Sequence, residues 1–208
     1  TCRDVEQLIE RYHLVIPPHV LPALQTETPK QLHNVETQIT GNVRALCDAA
    51  KASAEALGYR TLTLTTTLNC EAREAGAMLA SVAREIRQSG QPLGAPCAVI
   101  LGGETVVHLR GKGKGGRNQE LALAAAPAIS GCNAAVFSVG SDGTDGPTDA
   151  AGGYVDGDTL TTLRAAQIDP VDSLNQNDSY TALQAAGGLL FTGPTGTNVN
   201  DVAVVLVR

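Results

Sequence analysis

Apolar residues in this chain repeat at two periods, and the switches between them lay out its elements. Val5, Leu8, Ile9 and Tyr12 fall at helical spacing, which predicts a helix over residues 3–13. Pro17, Pro18, Pro22 and Pro29 then break the chain into turns and short helical pieces. A short strand is predicted around Val35–Ile39, followed by an alanine-rich helix over Gly41–Leu57 that Gly58 closes. Arg60–Leu68 alternates leucine with threonine, the period of a strand. Glu71–Gln88 returns to the helical period through Ala72, Ala75, Leu79, Val82, Ala83 and Ile86.

From Pro96 the apolar runs become short and continuous. Cys97–Leu101 predicts a buried strand, Gly102-Gly103 a turn and Thr105–Arg110 a second strand, together a hairpin. A helix over Asn118–Ala126, a buried strand over Ala134–Val139, a short strand near Tyr154 and a helix near Thr159–Ala166 follow. The chain closes with a helix from Asp178 to Ala186, the apolar Leu189–Thr192, a turn over Gly193–Asn198 and a strand over Val202–Val207. Alternating strands and helices predict an α/β fold, a layered α/β/α domain. The hairpin makes its β-sheet mixed. Residues 1–40 read as a linker or the tail of a missing N-terminal domain, and 41–208 as the α/β domain. A start at Thr1, inside a helical pattern, suggests a fragment of a longer protein.

Composition narrows the class. Aromatics are 3% and Trp is absent, so Ala, Leu and Val must build the core, which suits close packing of helices on a sheet. A net charge of −6 argues against a nucleic-acid partner. Cys2, Cys47, Cys70, Cys97 and Cys132 are scattered with no C-x-x-C pair, which predicts reduced thiols and a cytoplasmic location. The histidines form no zinc pattern, and no stretch approaches 18 apolar residues, so no membrane partner is expected.

Against that acidic background, Arg110-Gly111-Lys112-Gly113-Lys114-Gly115-Gly116-Arg117-Asn118-Gln119-Glu120 stands out. Glycine permits positive φ and close approach to a ligand. A helix beginning near Asn118 would turn free N–H groups and its positive dipole end into the loop. Lys112, Gly113, Lys114, Gly115, Gly116 and Arg117 are therefore candidates for binding an anion, phosphate above others. A solvated basic turn is the plain alternative.

Two further loops adjoin apolar strands. Asp142, Asp145 and Asp149 crowd one of them with Gly143, Gly146 and Pro147, a composition suited to magnesium, to proton transfer, or simply to capping and turns. The other, Gly193–Asn198, offers Thr195, Gly196, Thr197 and Asn198, which can cradle an anion or turn the chain. Ligands of open α/β sheets sit beyond strand ends, so the three loops are expected on one rim. Glu104 and His108 are weaker candidates, read by default as surface or packed residues.

Gly111, Gly113 and Gly116 match the dinucleotide pattern G-x-G-x-x-G. That pattern requires a ribose-binding acid about 20 residues on, and no Asp or Glu occurs between Leu121 and Ser141. The phosphate loop G-x-x-x-x-G-K-[ST] is absent.

Several of these segments together resemble one family. Gly102-Gly103-Glu104-Thr105, Gly115–Ala122, Asp142–Gly152, Asn177-Asp178-Ser179-Tyr180 and Thr192–Asp201 are similar to the signature of the MOFRL family, densely over 97–208. Its members are glycerate 2-kinases, many of them labelled hydroxypyruvate reductases. The resemblance implies ATP and glycerate as substrates, Mg²⁺ as cofactor, and an active site in the cleft between this region and a Rossmann-like N-terminal domain of the same protein. Chemistry and resemblance agree on phosphoryl transfer, which assigns Arg117 to the transferring phosphoryl group and Lys112 and Lys114 to nucleotide phosphates. Asp142 or Asp145 then holds metal, with Asp149, or accepts the glycerate hydroxyl proton. Thr195, Thr197 and Asn198 bind phosphate or the glycerate carboxylate. An NAD(P)H-dependent hydroxypyruvate reductase and a non-catalytic anion-binding fragment are the alternatives, and a homodimer is a further possible assembly.

Overall fold

The last strand in the sequence lies in the middle of the sheet. In the computed structural model, which describes all 208 residues, the strands are β1 (Arg60–Leu68), β2 (Cys97–Gly103), β3 (Ala134–Gly140), β4 (Gly152–Asp156), β5 (Leu189–Leu190) and β6 (Asp201–Val207). They form one sheet in the order β1-β2-β6-β3-β4-β5. β1 and β2 run parallel, and every other neighbouring pair is antiparallel.

The sheet is mixed, as expected, but not through a hairpin. Gly102 and Gly103 continue β2 and pair with Val202 and Asp201. Thr105–Arg110 forms no strand and makes one isolated bridge, Val106 to Glu71. The reason is geometric: β1 and β6 take both edges of β2, so a hairpin partner has no ladder left to join. The antiparallel pairing comes from β6 inserted between β2 and β3.

The helices are α1 (Cys2–Tyr12), α2 (Leu21–Leu24), α3 (Val43–Ala56), α4 (Ala72–Ser89), α5 (Arg117–Ile129), α6 (Thr159–Ala165), α7 (Pro170–Asn175) and α8 (Ser179–Ala186). The chain divides into two compact units, Thr1–Ile39 and Thr40–Arg208. In the first, Thr1 and Asp4 cap α1 reciprocally, and the helix ends at His13 in the left-handed region. No residue of α1 or α2 is buried. Val35–Ile39 forms no strand, and Ile39 is 77% exposed. With no partner strand, its backbone groups have no ladder to satisfy them. No helix of the chain is long and apolar enough to cross a membrane.

The second unit is layered, with helices on both faces of the sheet. Alternation along β2 and β6 sends Cys97, Val99, Leu101, Ala203, Val205 and Val207 to one core, with Leu79, Leu121 and Ile129 of α4 and α5. Ala98, Ile100, Val202 and Val204 face the other way, onto Cys47 and Ala54 of α3. α5 is buried on nearly every side and continues through Pro127 to Ile129, past the expected end at Ala126. α7 was not foreseen. Pro170 occupies the first turn, where its missing N–H costs nothing, and Asp169 caps the helix through the Val171 N–H.

α4 and α5 approach closely because the contact is made of small residues. A side chain at Gly76 would run into the Leu121 carbonyl of α5 and press on Ala124. Gly76→Ala adds helix propensity of about 1 kcal/mol, yet overpacking against backbone costs about 1–3 kcal/mol. Net destabilisation is expected in urea or thermal denaturation. A rise in stability would show that the two helices yield more easily than their packing indicates.

Candidate active site

Strand register gathers the three loops at one edge of the sheet. Asp201, the first residue of β6, pairs with the last residue of β2, Gly103, and of β3, Gly140. The basic loop follows β2, the acidic loop follows β3 and the final loop leads into β6, so all three leave from the same edge, as the sequence predicts. Beside them opens a cleft of about 1070 Å³ whose lining includes Leu68, Glu104, Leu109, Lys112, Arg117 and Asn200.

Asp145 controls the start of α5. Its carboxylate is 2% exposed and accepts hydrogen bonds from the backbone N–H groups of Asn118 (3.1 Å) and Gln119 (2.9 Å). Both side-chain amides add a bond, at 3.2 and 3.0 Å. Burial pushes the carboxyl above its usual range, while the donors from Gln119 and Asn118 pull it back. The helix N-terminus is thus closed by an internal anion and does not offer these N–H groups to a ligand, contrary to the sequence expectation. Asn118 also accepts from the Ser138 hydroxyl of β3, which ties the helix to the sheet.

The basic loop is clamped from the opposite side by residues 176–180. Asn177 Oδ1 accepts from the N–H groups of Arg110 (2.7 Å) and Gly111 (2.9 Å). Asp178 accepts from the Lys114 N–H, the Gln176 carbonyl from Gly113, and the Lys114 carbonyl from Tyr180. Behind this clamp, Asn177 Nδ2 donates to buried Glu120 of α5 at 3.1 Å. Glu120 in turn pairs with Arg73 of α4 at 3.1 Å. The loop glycines serve this packing. None of Gly111, Gly113, Gly115 or Gly116 has a positive φ. A Cβ at the first two would strike the backbone of Gln176 and Asp178, and at the last the Asp145 carboxylate.

Arg117 opens α5 and carries the cation into the cleft. Its Nε and Nη2 donate to Asp201 at 2.5 and 3.0 Å, and Nη1 lies 3.3 Å from Glu104. The Asp201 bond raises the guanidinium pKa further, outweighing burial. Lys112 lines the cleft. Lys114 does not: its Nζ sits 3.7 Å over the Tyr180 ring and 4.0 Å from Asp149. A cation held over an aromatic face is satisfied without a phosphate.

The other predicted residues are not brought together as expected. Asp142 bonds the Thr144 N–H in a local turn, and Asp149 accepts from the Tyr180 hydroxyl. With Asp145 committed to α5, the three aspartates form no metal-binding group, and no set of three His, Cys, Asp or Glu side chains does. Thr195 donates to the Ser141 carbonyl and so holds the final loop on the acidic loop. Thr195, Gly196, Thr197 and Asn198 do not line the cleft.

Sequence reasoning gave no role to Asp201, Glu120, Arg73 or Asn177. The available signals are a single acid at the head of an apolar strand, a Glu inside an alanine-rich helix, and the place of Glu120, Asn177 and Asp201 in the segments that carry the family resemblance. Asp145→Ala strands two buried N–H groups and two amides, so a loss of about 3 kcal/mol or more is expected. Asp142→Ala should cost within about 1 kcal/mol. Chemical denaturation of both variants measures the contrast, and equal losses would remove Asp145 from its capping role.

The same fold recurs in known proteins. D-glycerate 2-kinase of Thermotoga maritima is 51% identical over 100% of this chain, which covers 50% of that protein. Glycerate 2-kinase of Pyrococcus horikoshii is 41% identical, again over 100% of this chain and 50% of the relative. A crystal structure of the Thermotoga maritima glycerate kinase superposes with a TM-score of 0.90 at 51% identity, covering 100% of this chain and 50% of that one. The chain therefore spans about half the length of the relatives it matches. The MOFRL family profile matches residues 97–201, the stretch that holds β2, the basic and acidic loops, the clamp and Asp201. On this match and on relatives 51% and 41% identical over its whole length, the chain belongs to the MOFRL family.

Proposed function

We propose that this chain is the carboxyl-terminal half of an ATP-dependent glycerate 2-kinase, and that its part in the reaction is to hold the phosphoryl group in transfer. The observation that carries this reading is Arg117, a guanidinium fixed by Asp201 and facing a large cleft beside Lys112. Phosphoryl transfer spreads charge over the phosphoryl oxygens and needs positioning and neutralisation more than covalent help. A planar fork whose position is set before substrate arrives meets that need without reorganising. Lys112, on the rim, draws the nucleotide phosphates inward.

Of the two aspartates considered for the glycerate hydroxyl proton, Asp145 is saturated by four N–H donors and Asp142 lies outside the cleft lining, so this reading gives the proton to neither. The carboxylates do not fit a resident metal site. Magnesium enters as part of the substrate, bound to nucleotide phosphates and keeping much of its water. The relatives' other half supports a second, N-terminal domain, of the Rossmann-like kind implied by the sequence resemblance, as the opposite wall of the cleft.

The intact protein is expected to form ADP from ATP in a glycerate-dependent way and to oxidise no NADH with hydroxypyruvate. Arg117→Lys should lower kcat by about 100-fold, the scale of a lost transition-state donor. Lys112→Ala should mainly raise the KM for ATP, more so at low salt. Steady-state kinetics at saturating ATP decide this. Near-normal kcat in Arg117→Lys, or robust hydroxypyruvate-dependent NADH turnover, would refute the reading.

A further inference from the structure

Arg117 is shared between two carboxylates of unlike character. Asp201 is 5% exposed and takes two nitrogens of the guanidinium side-on. Withdrawing it would leave a buried charge unpaired, which is strongly unfavourable. Glu104 meets only Nη1, its side chain is 55% exposed, and it lines the cleft. An ion pair so open to water contributes little and exchanges readily with other anions. The backbone at Glu104 is not free to follow: its N–H donates to the Leu68 carbonyl at 2.9 Å, and Gly103 before it packs directly on Leu68. Any exchange at Nη1 is therefore a swing of the Glu104 side chain alone.

We propose that Glu104 is a placeholder for the substrate's anionic group. Its carboxylate occupies Nη1 of Arg117 until a substrate oxygen takes the same position, while Asp201 keeps Nε and Nη2 throughout. The proposal rests on the reading that Arg117 binds substrate, and it adds where the anion docks and which residue it displaces. Glu104 thereby weakens anion binding, because an anion must displace a tethered carboxylate to take its place. A nucleotide phosphoryl oxygen and the glycerate carboxylate share this chemistry.

Calorimetric titration of the intact protein with inorganic pyrophosphate and, separately, with glycerate tests the proposal in Glu104→Gln, Glu104→Asp and Arg117→Gln. Glu104→Gln removes the charge at nearly constant shape. Glu104→Asp keeps the charge but withdraws it from Nη1 by one carbon. Both Glu104 variants are expected to bind pyrophosphate, glycerate or both about fivefold more tightly at low salt, the size of one exposed ion pair released. The anion that responds identifies the group docked at Nη1. Unchanged or weaker binding in Glu104→Gln would overturn the placeholder role. So would tightening in Glu104→Gln with wild-type affinity in Glu104→Asp, which would reduce the effect to long-range repulsion. If Arg117→Gln binds both anions as the wild type does, the assignment of Arg117 to substrate fails instead, a separate result.

Discussion

An anion buried inside the protein sets the geometry of this site. Asp145 closes the N-terminus of α5 with both carboxylate oxygens, in the way a bound phosphate closes the N-terminus of a helix elsewhere. Because Gly116 has no side chain, the carboxylate can sit against the first turn of the helix. That contact fixes where α5 begins, and hence where Arg117 leaves the backbone. The positive end of the helix dipole is spent internally, so ligand attraction falls to side-chain cations.

A second carboxylate, Glu120, does the corresponding work one turn further along. It joins Arg73 of α4 to Asn177, whose other amide atom carries the backbone of the basic loop. Loop, clamp and two helices thus share one chain of hydrogen bonds running outward from a buried charge. Breaking any member leaves a charged or polar group in the interior without a partner, so such a network specifies one loop position out of many. Lysines on this loop are accordingly held in different settings, Lys112 at the cleft and Lys114 over Tyr180.

Sequence reading recovered what is local and periodic. The stripe of α4, the alternation of β1 and the apolar run of β2 each carry their own period, and the three loops were recognisable by glycine and charge. What it missed is pairing between distant residues. Glu120 and Asn177, or Arg117 and Asp201, lie in segments that the family resemblance picks out, but nothing along the chain says which of them pair, because the fold alone brings them together. The hairpin after β2 failed for the same reason, since local turn chemistry does not reveal that another strand already holds the edge. The glycines of the basic loop stand out in the sequence, but none has the positive φ that glycine permits; their small size allows contact with Gln176, Asp178 and Asp145.

The position of β6 has a consequence for how the molecule comes into being. Its residues, Asp201–Val207, form the only strand hydrogen-bonded to both the β1-β2 half of the sheet and the β3-β4-β5 half. During synthesis those halves cannot join into one hydrogen-bonded sheet, and each keeps an unpaired edge, until this strand emerges from the ribosome. The first residue of that strand is also the carboxylate that holds Arg117. Closure of the sheet and arming of the site are therefore a single event. A nascent or prematurely terminated chain that stops short of Asp201 carries the basic loop without the partner that fixes its arginine.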